Sequence, residues 1–306
     1  MQKLRVVCHG LALPVLCSTT LLAAACASDP SAGDPGSRDG SPAGTTHVPA
    51  RLARAQTGQV GYHAMEIGLG PAVPLPNPDW DAAQDWQIPA VVLGGGAPVP
   101  VDDPSAAALA NLDVLWVETW AYTQMTWDEQ WMARQPDLDA AVQNGMVLVV
   151  HDDATVWTGL GFRAEALPLP GAVDLIPTQD PFPAPNVIDI NIRDGSTQVT
   201  SGLIDSSFDL RGEDLVTGRV TPPLFVNASL LPPNAKLILS RTAPDEIVTF
   251  CYPHGKGAVI YSTIWLSEYT GDLEGSDYYP ADLQNAMTKI YAPNVVRYAL
   301  AGACKQ

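Results

Sequence analysis

The sequence predicts an α/β fold, a doubly wound and mostly parallel sheet with a C-terminal β-hairpin and long loops. Three observations predict it. Continuous apolar runs of strand length recur along residues 58–306 without polar alternation, the pattern of strands covered on both faces. Segments of helical composition separate them, and the order strand, helix, strand, helix is that of βαβ units. Near the end, IVTFCYPHGKGAVIYSTIW holds two strand-like runs joined by a tight turn at Pro253–Gly257.

Taken in order, the apolar runs are Ala90–Leu93, Val114–Val117, Met146–Val150, Val187–Ile190, Leu237–Leu239, Ile247–Phe250 and Ala258–Tyr261. Gly94–Gly96 follows the first as a turn. A phosphate cradle would need a lysine or a further glycine leading into a helix, and Ala97 and Pro98 stand there instead. Ser105 and AAALANL form a short helix behind the acids Asp102 and Asp103. Thr126–Gln143 is helical in composition, and Pro136 divides it into two helices, the second starting near Asp137. Asn144 and Gly145 cap that helix before the strand MVLVV. Gly159–Leu231, dense in Pro, Gly and Asp, reads as long loops with a small strand or two. Ala281–Leu300 is a helix interrupted at Pro293.

Residues 1–26 have the layout of an export signal, with Lys3 and Arg5 ahead of a largely apolar run. The ending LAAAC reads either as a bacterial lipobox that leaves Cys26 lipidated or as an A-x-A site for ordinary signal peptidase. Residues 27–57, rich in Ser, Gly, Pro, Asp and Thr, have the composition of a tether, and a tether suits a lipid anchor. One domain, 58–306, follows. Lys3 and Arg5 are the only fully charged side chains of residues 1–26, so its removal takes the net charge from −17 to −19. Such a surface repels nucleic acid, so the expected partners are the membrane, through the lipid, and a small-molecule ligand. Of five cysteines, two leave with the signal and Cys26 is the proposed lipid site. Cys251 and Cys304 remain, with one disulfide between them open as an option in an oxidising compartment.

NGMVLVVHD after a DVLWV strand, followed by LILSR, IVTF, GKGAVIYSTIWLSEY and YAPNVVRYAL, resembles the class I glutamine amidotransferase-like fold, in the divergent form of bacterial exported proteins. The resemblance covers roughly residues 105–301 and implies a flavodoxin-like sheet whose functional edge lies at the C-terminal ends of its strands. It also implies a cysteine at the strand-to-helix elbow, activated by histidine and acid. This sequence has Val150, His151, Asp152 and Asp153 at that elbow, no histidine after AVIYSTIWLSE, and no Gly-Gly after DVLWV. The resemblance therefore implies a domain without glutamine hydrolysis and without a catalytic residue, cofactor or metal of its own.

The candidate cleft gathers Glu118, Trp120 and Tyr122 after one strand, His151, Asp152, Asp153 and Trp157 after its neighbour, and Glu268 after STIWL. Exposed aromatics at Trp120, Tyr122 and Trp157 suit stacking on sugar rings, which makes carbohydrate a ligand class to test. The competing function is a hydrolase or carbohydrate-active enzyme of trehalose-utilisation type, using the His151/Asp152/Asp153 strand end with or without a metal. The plainer reading is a histidine that caps its strand and aspartates that start the next turn.

Overall fold

The computed structural model describes residues 58–64, 87–119, 124–152, 155–157, 162–164, 167–171, 173–175, 177–179, 189–201, 209–215, 224–264, 266 and 281–305. The first strand, β1 (Gln59–Ala64), is followed by α1 (Gln87–Leu93), β2 (Ala97–Pro100), α2 (Ala106–Leu109), β3 (Val114–Thr119), α3 (Gln124–Asn144) and β4 (Val147–Asp152). Short pieces come next: β5 (Thr155–Trp157), β6 (Phe162–Ala164), β7 (Leu167–Leu169), β8 (Val173–Leu175), β9 (Thr178–Gln179), β10 (Asn191–Ile192) and α4 (Gly212–Leu215). The chain then builds β11 (Leu224–Asn227), β12 (Lys236–Ser240), β13 (Glu246–His254) and β14 (Gly257–Ser262). It closes with α5 (Ala281–Asn285), a π-helical stretch Ala286–Tyr291, and α6 (Ala292–Leu300).

The main sheet runs in the order β2-β1-β3-β4-β14-β13-β12-β10, with β11 also pairing β13. From β2 to β14 every pairing is parallel, and from β14 onward every pairing is antiparallel. The parallel strands, numbered by their order in the chain, stand in the flavodoxin-like order 2-1-3-4-5. Strand order therefore reverses between β1 and β3, the position at which doubly wound sheets characteristically bind ligands.

Side chains of the parallel strands alternate between two cores, as strand geometry requires. One face packs Val60, Trp116, Val149 and Ile260 against Met287, Tyr291, Val295 and Val296 of the C-terminal helices and Val91 of α1. The other packs Leu115, Val117, Leu148, Val150, Val259 and Tyr261 against Leu138 and Val142 of α3. Both faces are covered, which is why the runs carry no polar alternation.

Several sequence expectations are corrected. Ala90–Leu93 lies in helix α1, not in a strand. Pro89 is third in that helix, where a missing N–H costs no hydrogen bond, and Ala90 and Val91 are buried. Gly94–Gly96 therefore closes a helix: Gly94 N–H donates to Ala90 O, Gly96 N–H to Val91 O, and Gly95 takes φ +88°. The carbonyl end of a helix is a poor place for phosphate. Pro136 does not divide α3, which runs through it for 21 residues. Pro136 is exposed, while Trp131, Leu138 and Val142 on either side of it bury into one core, so tertiary packing holds the two halves together. The strand expected at Val187–Ile190 begins instead at Asn191, with 187–188 outside the described residues. Gly159–Leu231 holds more order than expected, including the β7–β8 hairpin and β11.

Other expectations hold locally. Gly145 ends α3 at φ +126°, with Met146 N–H donating to Ala141 O. β13 and β14 form the hairpin around Gly255 and Lys256. Cys251 and Cys304 form a disulfide that fastens the segment after α6 to β13, with Cα atoms 6.0 Å apart.

Candidate functional site

Register sets which of the expected residues share a face. Across the C-terminal edge of the sheet, Ala64 of β1 pairs with Glu118 of β3, Glu118 with His151 of β4, and His151 with Ser262 of β14. Partners in a ladder point to the same side. Glu118, His151 and Ser262 thus continue the face of Trp116, Val149 and Ile260. One residue on, Asp152 points to the opposite face, where it accepts a hydrogen bond of 2.7 Å from the Tyr261 hydroxyl. Of the His151/Asp152/Asp153 strand end, Asp152 is thus on the face opposite His151. That separation follows from the period of two along a strand.

His151 is fully buried. Its ring lies between Trp116, with centroids 5.7 Å apart and planes tilted by 46°, and Tyr291, edge-on at 5.8 Å and 74°. Nδ1 is 3.0 Å from the carbonyl oxygen of Ile264, just beyond β14. A carbonyl only accepts, so Nδ1 carries the proton and Nε2 carries a lone pair. Burial pushes the imidazole pKa down to about 4, the Ile264 bond opposing this only in part, so the ring is neutral at neutral pH. Nε2 has no hydrogen-bond partner among the described residues.

Beneath the ring, three buried hydroxyls close a triangle. Thr249 Oγ1 lies 2.9 Å from Ser262 Oγ and 3.0 Å from Tyr291 Oη, and Tyr291 Oη lies 3.0 Å from Ser262 Oγ. Ser262 Oγ also accepts from the Ile264 amide at 3.2 Å. Burial raises the Tyr291 pKa to about 12, so the phenol stays protonated. Ser262 spends its bonds inside this triangle and His151 spends its N–H on a backbone carbonyl. No serine–histidine relay forms among the described residues, and the elbow offers no thiol: Cys251 and Cys304 are oxidised to each other.

Glu118 is buried at 9% exposure and stands next to His151 in register. Among the described residues no three His, Cys, Asp or Glu side chains gather as metal ligands. Trp120, Tyr122, Asp153 and Glu268 lie outside the described residues, as does Cys26. Trp157 ends the short strand β5 rather than sitting in a loop, and its side chain is likewise outside the description. The structure thus places Glu118 and His151 together and Asp152 apart.

One residue that sequence reasoning passed over joins this picture. Gln87, first in α1, is 1% exposed, and neither amide atom has a hydrogen-bond partner among the described residues. Leaving such a group unpaired in a protein interior costs about 1–3 kcal/mol. The signal was a lone amide heading the otherwise apolar segment QIPAVVL.

No family model and no curated protein matches the chain. Solved structures similar to it include a ThuA-like protein from Bacteroides uniformis, at 12% identity over 81% of this chain and 99% of that one with a TM-score of 0.44. A second ThuA-like protein, from Parabacteroides merdae, is 10% identical over 81% of this chain and 90% of that one, TM-score 0.35. An exo-beta-1,4-mannosidase from an Opitutaceae bacterium is 12% identical over 73% of this chain and 36% of that one, TM-score 0.38. Likeness at these values carries nothing about chemistry, and the flavodoxin-like assignment stands on the strand order of this chain itself.

Proposed function

We propose that this chain is an exported lipoprotein, anchored by a lipid on Cys26 and a tether over 27–57, whose amidotransferase-like domain binds a ligand and performs no hydrolysis. The observation that supports it most is the end of β4. Where the resemblance calls for a reactive cysteine, the chain buries a neutral imidazole between Trp116 and Tyr291 and ties its only N–H to Ile264. The acid next to it in sequence, Asp152, serves Tyr261 on the other face. An enzyme built on the His151/Asp152/Asp153 strand end would need these groups together, so that reading is not favoured.

The Cys251–Cys304 disulfide suits a protein that folds in an oxidising compartment, in keeping with the export signal. The carbohydrate class draws on the aromatics Trp120, Tyr122 and Trp157. Cell fractionation with a labelled fatty acid tests the anchor: the full-length chain takes up label and sediments with membranes, and Cys26→Ala does neither. A Cys26→Ala chain that sediments with membranes to the same degree overturns lipidation as the cause.

A further inference from the structure

Among the described residues, the Gln87 amide and His151 Nε2 are buried polar groups with no hydrogen-bond partner, and both belong to one covered face of the sheet near its C-terminal edge. Native interiors pair nearly every polar group, so two unpaired ones on a shared surface point to a partner that is not part of the chain. The placement follows from topology. The end of α1 returns to the N-terminal edge of the sheet: Gly94 abuts the Pro293 carbonyl and Val296, and Gly96 packs on Val60 at the start of β1. The helix therefore runs against β1, and its first residue, Gln87, lies about 10 Å further toward the C-terminal edge at 1.5 Å per residue. His151 stands at that same edge, on the face covered by α1 and α6. Between them lies the reversal of strand order at β1 and β3, the place where doubly wound sheets receive ligands.

We propose that this edge binds a neutral, hydroxyl-rich ligand, with one ligand hydroxyl donating to Nε2 of His151 and another exchanging hydrogen bonds with the Gln87 amide. The inference rests on the binding-domain reading above and gives it a site and a charge preference. Nδ1–H is committed to Ile264, so Nε2 can only accept; an amide both donates and accepts; the hydroxyl group satisfies both. A phosphate or carboxylate oxygen without a proton only accepts, and Nε2 of the neutral imidazole also only accepts, so an anionic group finds no donor and no positive charge at His151.

Calorimetric titration of the full-length protein tests this, with glucose, mannose and cellobiose as neutral probes and glucose 6-phosphate and glucuronate as anionic ones. The expected result is that a neutral probe binds, that the anionic probes bind about tenfold more weakly or not at all, and that Gln87→Leu weakens the neutral probe about tenfold. Gln87→Leu is also expected to leave the melting temperature of the free protein unchanged or raised, because the amide it removes has no protein partner. A neutral sugar bound equally well by Gln87→Leu keeps the binding domain and overturns this site. Tighter binding of the anionic probes overturns the charge preference, and binding of no neutral probe overturns the ligand class. A lowered melting temperature in Gln87→Leu shows the amide satisfied within the protein and overturns the inference even without a ligand.

Discussion

His151 sits in a place where charge is expensive, and its surroundings give only one hydrogen bond in return. Its pKa falls from 6.5 to about 4 on folding, so between these values the unfolded chain holds more protons than the folded one. Stability then rises with pH across that window and is lost as pH falls through it, by about 3 kcal/mol in all. Asp139 acts lower on the scale. Gly171 N–H, His254 and Gln143 overcome partial burial to hold its carboxyl below the usual value, so its contribution is present above pH 3.8 and lost beneath. Urea unfolding at pH 7.5 and pH 5 separates the two: the native chain loses stability between them, and His151→Leu loses distinctly less. Equal losses in both proteins would show the imidazole to be solvated.

The residue scale also shows what the sequence could carry. NGMVLVV announces a buried strand, so the position of His151 at a strand end was legible. Its partners were not, because Tyr291 and Ile264 are more than a hundred residues away in the chain and meet it only through the sheet. Asp152 stands next to His151 in the sequence, and the alternation of a strand sends their side chains apart.

At the scale of elements, the β13–β14 hairpin and the disulfide set the far half of the sheet. Gly257 opens β14 where a Cβ would collide with the backbone carbonyl oxygens of Val142 and Met146, at the end of α3 and the start of β4. Backbone cannot swing aside as a side chain can. Gly257→Ala is expected to cost more than about 2 kcal/mol in a denaturant titration, whereas Gly195→Ala, which meets nothing within 4 Å, costs a few tenths. The Cys251–Cys304 bond closes a separation of 53 residues, worth about 4 kcal/mol in the chain-entropy account. Cys251→Ala/Cys304→Ala should melt about 10 °C lower, as should the native protein under reductant. A drop of a degree or less would mean that Tyr298 and the α6 core hold the C-terminal segment unaided.

Legibility varied among elements for physical reasons. β3, β4, β12, β13 and β14 each contain a short continuous apolar run. Ala90–Leu93 is a run of the same kind, and its β-branched residues imitate a strand, so length and composition could not tell it from one. β1 escaped notice because QVGYHA mixes polar residues and a glycine into a strand whose faces are covered all the same. Pro136 marks a break in any local rule, and α3 overrides it by burying residues on both sides of the proline.

Over the whole molecule, the strand order reverses between β1 and β3, and among the described residues the nearby strand ends supply no free thiol, while Asp152 lies on the face opposite His151. At the end of β4 the doubly wound frame carries a neutral, buried imidazole. The net charge of −17 makes a surface that repels anionic lipid headgroups. The class of fold was legible in the sequence because it is written in local patterns. The sequence grouped His151 with Glu118, but the face that His151 shares with Gln87 was not legible, because it arises only after two crossovers have been made.

The central claim is that this edge binds without turnover. Incubating the full-length protein with glutamine and, separately, with p-nitrophenyl glycosides measures it directly, by glutamate and nitrophenol release. The account predicts release no faster than buffer for both substrates; release that is abolished by His151→Phe or Glu118→Gln would contradict it.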